Sequence, residues 1–202
     1  MLKLIFLFFF SYILGSIPFA LLVALPQGID PRKEGSRNPG ATNVARLLGK
    51  KWGIVTFLGD SLKGVLALFI AFLLLNKIPY PEEFVLAGVA FFAVLGHLFS
   101  VFLKFRGGKG VATTIGVFLI LTPKAMFICL GIFFIAVFLS NYVSVGSLLA
   151  TALLPLTIFL TGYSSEYILC SFLLAILIWI KHKDNIKRLL RGEEKTWKKV
   201  KR

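Results

Sequence analysis

Long apolar runs alternate with short polar or charged segments along this 202-residue chain. A helix of about 20 residues, rising 1.5 Å each, crosses a hydrocarbon core of about 30 Å, so each run is a candidate membrane span. We predict spans at residues 2–24, 53–75, 84–103, 110–122, 124–140, 144–162 and 166–181. The pattern indicates an all-α integral membrane protein, a bundle of about seven transmembrane helices. The fourth span is short enough to be a tilted half-span or a re-entrant segment.

Cations are concentrated in alternate loops. They occur between the first two spans, after the third span and in the tail from Lys181, whereas the other loops carry Lys3, Lys77 and Lys124. Because cytoplasmic loops are enriched in Lys and Arg, the N-terminus is predicted outside and the C-terminus in the cytoplasm. Five spans also fit the charges, if the fourth and fifth form a re-entrant hairpin and one further span is lost.

The composition agrees with a membrane protein, since 57% of residues are hydrophobic, 21 are Phe and only 16% are charged. The net charge of +14 falls in loops and in the tail, so it indicates topology and not nucleic-acid binding. The first apolar run is too long for a signal peptide. With no long linker, the chain is predicted as a single transmembrane domain, 1–202, with a basic cytoplasmic tail from about residue 182.

The most unusual polar stretch, Lys104–Thr114, places three cations and three glycines between two apolar runs. Glycines let backbone N–H groups approach one anion, and cations beside such a nest before a helix make a phosphate cradle. The alternative is a flexible loop that obeys the positive-inside rule. A Walker A motif is excluded, because Leu103 and Gly110 stand where it needs Gly and Ser or Thr.

A second polar stretch lies at residues 35–43. Asn38-Pro39-Gly40 is typical of a type II turn, and Thr42 or Asn43 is predicted to cap a short helix that Gly49 ends. Ser36, Asn38, the capped N–H groups and Arg46, on the same side as Asn43, would form another positive nest. An ordinary polar loop with good turn chemistry is the alternative.

Two features place ionisable groups inside spans. Asp60 and Lys63 lie one helical turn apart in the second span, and buried charges there are costly, so they serve either a site or a mutual structural pair. His97 is either a bundle residue or an acid–base group.

In the tail, His182, Asn185 and Arg188 would share one side of the last helix if that helix continues past its span. The alternative is a basic face held near anionic lipid.

Together, Ser36–Arg46, Gly96–Thr113 and His182–Glu194, with the patterns GATN, GGKGVAT and HxxNIxRLLxGxE, resemble the three signature segments of the membrane acyl-phosphate:glycerol-3-phosphate acyltransferases (the PlsY type). The resemblance covers nearly the whole chain. It implies a seven-helix bacterial inner-membrane enzyme with a cytoplasmic active site. Such an enzyme moves an acyl group from acyl phosphate to the 1-hydroxyl of sn-glycerol 3-phosphate, giving lysophosphatidic acid and phosphate in phospholipid biosynthesis. Arg37, Ser100 and Lys104 depart from the family pattern outside the motif cores.

By this resemblance, four residues are expected to be catalytic: Ser36, Lys109, His182 and Asn185. The expected substrate-binding residues are Asn38, Gly40, Thr42, Asn43, Arg46, His97, Arg106, Gly107, Gly108, Gly110, Thr113 and Arg188. No metal or cofactor is expected. The implied partners are glycerol 3-phosphate, long-chain acyl phosphate, membrane lipid and the enzyme that makes acyl phosphate, but no nucleic acid.

The chain lacks a GxSxG nucleophile elbow, and neither His begins an HxxxxD motif, so positioning and electrostatics remain as the means of catalysis. The hypothesis is that the 107–110 nest with Lys109 holds one phosphate and that the other two segments hold the second. Either the departing phosphate oxygen or His182 would accept the hydroxyl proton. The alternative function is a transporter or channel for a small phosphate-bearing anion, for which the spans offer few midplane polar groups.

Overall fold

The computed structural model describes residues 1–197, which form α-helices and short 3₁₀ turns but no β-strand. The α-helices are α1 (Leu2–Ser16), α2 (Phe19–Ala24), α3 (Ala41–Leu48), α4 (Lys50–Leu74), α5 (Glu82–Leu98), α6 (Val111–Leu121), α7 (Pro123–Ser140), α8 (Val143–Leu160), α9 (Ser165–Lys181) and α10 (Lys183–Leu190). The 3₁₀ turns are Leu25–Gln27, Leu75–Lys77 and Val101–Leu103. The chain forms two compact units, Met1–Leu121 and Thr122–Arg202.

Five helical stretches of the described chain are long and apolar enough to cross a membrane: Leu2–Gln27, Lys50–Lys77, Glu82–Leu103, Pro123–Ser140 and Val143–Leu160. A sixth is added if α9 and α10, bent by 58°, count as one span, and α6 is a shorter apolar helix. The all-α membrane fold is confirmed, and each predicted span coincides with a helix except the first, which is divided between α1 and α2. The count of seven, the orientation and the single domain of 1–202 stay predictions.

In the first unit, α1 packs closely on α5 through small residues. A Cβ on Gly15 would collide with the Ala93 carbonyl, and one on Gly96 with the Tyr12 carbonyl, so the backbones touch. The Tyr12 hydroxyl donates to the Phe99 carbonyl at 2.6 Å, and the Ser100 hydroxyl donates to the Ser16 carbonyl at 2.6 Å. Glycine contacts and hydroxyl bonds are the usual means of helix association in lipid.

The first predicted span contains a break that the apolar pattern does not show. Helix α1 ends at Ser16, and α2 starts after Pro18, which has no N–H to donate. A carbonyl freed inside a membrane segment must find another donor. The Lys63 ammonium on α4 supplies one to the Ile17 carbonyl at 2.9 Å. The break is therefore stabilised by a charged side chain from another helix.

Helix α4 also holds α6 and α3. The Ser61 hydroxyl donates to the Ala112 carbonyl at 2.9 Å, and a Cβ on Gly116 would collide with the Ser61 carbonyl. At its other end, the fully buried Val44 of α3 packs against α2, with Trp52 of α4 partly buried beside it. Helix α4 is thus the common neighbour that positions the start of α6 and the polar loop before α3.

In the second unit, α7 packs on α8, and α8 packs on α9. The Cys129 thiol and the Thr157 hydroxyl lie 3.2 Å apart, and the Trp179 indole N–H donates to the Leu148 carbonyl at 3.2 Å. Beyond α10 the chain returns to this unit, where the Trp197 N–H donates to the Asn141 carbonyl at 2.8 Å. The described part of the tail is therefore anchored to this unit at Trp197.

The predicted orientation can be tested by cysteine labelling, since the native Cys129 and Cys170 are buried. We expect Lys33→Cys and Lys104→Cys, both at exposed positions, to resist an impermeant maleimide in intact cells because their loops are predicted cytoplasmic. The matched exposed position Lys77→Cys should be labelled. Labelling at Lys33 or Lys104 without cell lysis would contradict the predicted orientation.

Candidate functional site

The loop before α3 is organised by one buried side chain, Asn43. Its carboxamide oxygen accepts the Ser36 N–H at 2.8 Å, and its nitrogen donates to the carbonyls of Pro31 and Glu34 at 2.9 and 3.1 Å. A side chain on Gly35 would collide with that oxygen. Asn43 thus holds in place the loop that carries Ser36.

Two sequence predictions for this segment are wrong. Gly40, not Thr42 or Asn43, precedes the first residue of α3, and no side chain caps the helix, because Asn43 bonds back to its loop instead. The type II turn also fails, since Gly40 is extended at φ −153° where that turn needs a positive φ. The Gly40 N–H instead donates to the Asn38 carbonyl at 3.0 Å, closing a tighter turn over Pro39.

The helix does end at Gly49, as predicted, where φ is +94°. The prediction that Asn43 and Arg46 lie on the same side of the helix is wrong, because Asn43 is buried and Arg46 is exposed. Ser36, Asn38, Gly40 and Thr42 are half-buried.

The glycine loop is seated directly on the end of α5. The Gly108 N–H donates to the His97 carbonyl at 3.0 Å. A Cβ on Gly107 would collide with that carbonyl, and a Cβ on Gly108 would collide with His97 Nε2 and lie 3.0 Å from the Pro39 carbonyl. The first two signature segments therefore meet here. The nest hypothesis loses one donor, because the Gly108 N–H is already bonded within the protein.

The remaining loop residues frame the start of α6. Gly110 has φ +85°, and the chain turns there into the helix. Lys109 is half-buried and Arg106 is exposed. Thr113, predicted to bind substrate, is completely buried, and its hydroxyl donates to the Asp60 carbonyl at 2.8 Å. It therefore joins α6 to α4, and its role in substrate binding stays a prediction.

Beneath the loop lies a buried polar cluster that we call the α4–α5 cluster: Asp60, Lys63, His97 and Thr113. The Lys63 ammonium and the Asp60 carboxylate are 2.8 Å apart, with both side chains 3% exposed. His97 Nδ1 lies 3.4 Å from the Asp60 carboxylate and 3.2 Å from the Thr113 hydroxyl oxygen. Asp60 and Lys63 form an ion pair with each other, one of the two alternatives that the sequence allowed. His97 connects this pair to α5.

In the second unit, the tail residues converge on Glu194, a residue that the site predictions did not include. Its carboxylate accepts hydrogen bonds from Asn185 at 2.6 Å, Arg188 at 2.7 Å and Ser144 at 2.9 Å. Burial would raise the pKa of Glu194, but these three donors outweigh it and hold the pKa below its usual value. The sequence signal for this residue was its place as the final Glu of the tail motif. Sequence alone does not show that its carboxylate binds side chains of α10.

His182 stands at the bend between α9 and α10, so the helix is not continuous there as the shared-face prediction required. Its ring Nδ1 lies 2.8 Å from the Ile178 carbonyl, an acceptor, so Nδ1 carries the hydrogen. Asn185 and Arg188 instead share Glu194. Within residues 1–197, no three His, Cys, Asp or Glu side chains are grouped as metal ligands.

Comparison with known proteins gives the family. The family model for glycerol-3-phosphate acyltransferase matches residues 5–192. The glycerol-3-phosphate acyltransferase of Desulfotalea psychrophila is 55% identical over 94% of this chain and 95% of its own, and that of Trichlorobacter lovleyi is 46% identical over 93% and 94%.

Solved structures agree. A crystal structure of PlsY (YgiH), an integral membrane glycerol 3-phosphate acyltransferase, in its glycerol 3-phosphate form has a TM-score of 0.89 and 36% identity, covering 97% of this chain and 96% of that one. A lysophosphatidic acid form of PlsY gives a TM-score of 0.86. Fold and relatives together define an integral membrane acyltransferase. The chain belongs to the glycerol-3-phosphate acyltransferase family, which supports the acyltransferase interpretation over the transporter.

The Glu194 arrangement predicts a pH-dependent stability. Because the folded-state pKa lies below the unfolded value of about 4.3, the carboxylate stabilises the fold above that pH, and this contribution is lost as the pH falls through the folded pKa. Glu194→Gln should lower the free energy of unfolding by about 1–3 kcal/mol at pH 7, and by progressively less as the pH falls. Thermal unfolding in detergent across this pH range measures the difference. The exposed neighbour variant Glu193→Gln should match the wild type, and equal losses in both variants would contradict the role of Glu194.

Proposed function

We propose that the acyl donor is a long-chain acyl phosphate and that the acceptor is the 1-hydroxyl of sn-glycerol 3-phosphate. The site would face the cytoplasm from a bacterial inner membrane. The acceptor is supported by the relatives and by the glycerol 3-phosphate form of the similar PlsY structure. The observation that carries the donor is the position of Lys109, in a loop fixed on His97 and directly before α6, where a cation and helix N–H groups favour an anion.

The proposed reaction needs no covalent enzyme intermediate. The glycerol hydroxyl oxygen bonds to the acyl carbonyl carbon, the bond from that carbon to the phosphate oxygen breaks, and inorganic phosphate leaves. The departing phosphate oxygen takes the hydroxyl proton. Because the donor is already an activated mixed anhydride, the protein supplies orientation and charge neutralisation. The products are lysophosphatidic acid and phosphate.

We assign Lys109, Arg106 and the 107–110 loop to one phosphate, and Ser36, Asn38, Arg46, His182 and Asn185 to the other. Two bound phosphates repel each other, so cations from both segments lower the cost of holding them together. His182 is the competing base, since a neutral ring with its hydrogen on Nδ1 leaves Nε2 as an acceptor. The acyl chain would lie between helices and enter from lipid, and the enzyme that makes acyl phosphate would associate with the same membrane face.

Lys109→Ala should retain the fold and lose about 10²-fold or more in kcat/KM, the scale for removing one preorganised electrostatic group. Phosphate release from purified protein given palmitoyl phosphate and glycerol 3-phosphate measures it. Lys33→Ala, an exposed cation in another loop, is the matched control. The more distant control Lys198→Ala, in the basic tail, lies outside the described residues. Equal rates for Lys109→Ala and Lys33→Ala would show that the phosphate site lies elsewhere.

The donor itself gives the sharpest test. A thioester has no phosphate next to its carbonyl and leaves no oxygen able to take the proton, so its use requires a base of the HxxxxD kind, which this sequence lacks. We expect turnover with palmitoyl phosphate, at most trace turnover with palmitoyl-CoA, and competition between inorganic phosphate and the donor. Comparable initial rates with both donors would overturn the mechanism.

A further inference from the structure

The α4–α5 cluster offers more than charge neutralisation. A structural ion pair needs only Lys63 and Asp60, which already satisfy each other at 2.8 Å. Yet the same carboxylate oxygen also lies 3.4 Å from His97 Nδ1, and His97 carries the glycine loop on its backbone carbonyl. The cluster therefore extends from the break in the first span, where Lys63 holds the Ile17 carbonyl, to the loop that contains Lys109.

The hydrogen bonds fix how the His97 ring is held. The Thr113 hydroxyl gives its hydrogen to the Asp60 carbonyl, so towards His97 it is an acceptor, and the Asp60 carboxylate is an acceptor as well. Nδ1 therefore carries a hydrogen that faces both acceptors. The opposite edge of the ring, with Nε2, is the surface against which Gly108 is seated.

We propose that Asp60 is a positioning residue for the glycine loop, acting through His97. By holding the His97 ring in one tautomer and orientation, it fixes the surface against which Gly108 is seated and hence the position of the neighbouring Lys109. His97 is then also a positioning residue, and not a substrate ligand as predicted from the sequence. This inference deepens the proposed function and rests on it for the assignment of the loop to a phosphate.

The experiment must separate positioning from folding. A partly unfolded preparation lowers the maximum rate but leaves KM and the inhibition constant Ki unchanged, because both describe the folded fraction. The readouts are therefore KM for palmitoyl phosphate and Ki for inorganic phosphate, beside thermal unfolding in detergent.

The main variant is the double change Asp60→Asn with Lys63→Gln. It removes both charges together and keeps an N–H donor at position 63, so no unpaired charge is left buried. The carboxylate that orients His97 is lost. We expect a folded protein with KM and Ki raised about tenfold or more, since displacements of about 1 Å at a reacting site can cost 10²-fold. Asp30→Asn with Arg32→Gln neutralises an ion pair outside the cluster, with side chains 15% and 47% exposed, and should leave both constants at wild-type values.

A folded double variant with wild-type KM and Ki would overturn the proposal and leave a purely structural pair. If the double variant does not fold, the proposal is tested with His97→Asn. The Asn amide nitrogen takes the place of Nδ1, but the edge of the ring that faces Gly108 is removed. We expect His97→Asn to raise KM for palmitoyl phosphate and Ki for inorganic phosphate. The longer side chain of His97→Gln should bring both constants part of the way back to the wild-type values. Wild-type constants in both would overturn the proposal.

Failure of the proposed function is visible separately in the wild type. If inorganic phosphate does not inhibit, or another donor is used, the donor assignment fails. The same variants are then compared by KM for glycerol 3-phosphate with the donor that the enzyme accepts. A raised KM in the double variant still supports positioning, and an unchanged KM rejects it.

Discussion

The first unit depends on the ion pair between Lys63 and Asp60. A single charge at that depth in a membrane helix is expensive, and each side chain makes the other tolerable. The pair also has outward consequences, since the ammonium holds the carbonyl exposed by the Pro18 break and the carboxylate faces His97 on α5. Three membrane segments are thus aligned by one pair of charges. Apolar packing alone, between helices already surrounded by apolar lipid, would fix their relative heights less strictly.

In the second unit, separate segments are likewise joined by a buried charge, here one carboxylate that accepts hydrogen bonds from neutral and cationic donors. Glu194 is held by Ser144 at the start of α8 and by Asn185 and Arg188 on α10, so a carboxylate after the last helix closes the tail on the unit. Here the charge lies beyond α10, which follows a 58° bend after α9. The two units therefore use buried carboxylates in opposite settings. Asp60 lies within a candidate span and faces His97 on another, whereas Glu194 lies after the last helix and joins α10 to the start of α8.

Sequence patterns were sufficient for features that depend on local composition. The apolar runs located the helices of the membrane region, apart from the break between α1 and α2, and the i, i+3 spacing of Asp60 and Lys63 made a mutual pair one of two alternatives. Features set by distant contacts were missed. Asn43 looked like a helix cap because caps are local, but its partners lie seven to twelve residues earlier in a folded-back loop. No local pattern indicates that His97 lies beside Asp60. Nor does one indicate that Asn185 and Arg188, which were predicted to line a site, bind Glu194. The joint placement of the three signature segments remains a prediction.

The seating of Gly107 and Gly108 on His97 affects how such motifs are interpreted. Both positions exclude even an alanine methyl group, because the space is filled by the carbonyl and ring of His97. A mutational scan would find them as intolerant as true anion-contacting glycines, although the cause is a loop resting on the end of a helix. Intolerance at such a pair therefore reports the close approach of two backbones as readily as contact with a ligand. A smaller side chain at position 97 should make a substitution tolerable at position 108, where the ring is the nearest obstacle, but not at position 107, where the obstacle is the backbone carbonyl.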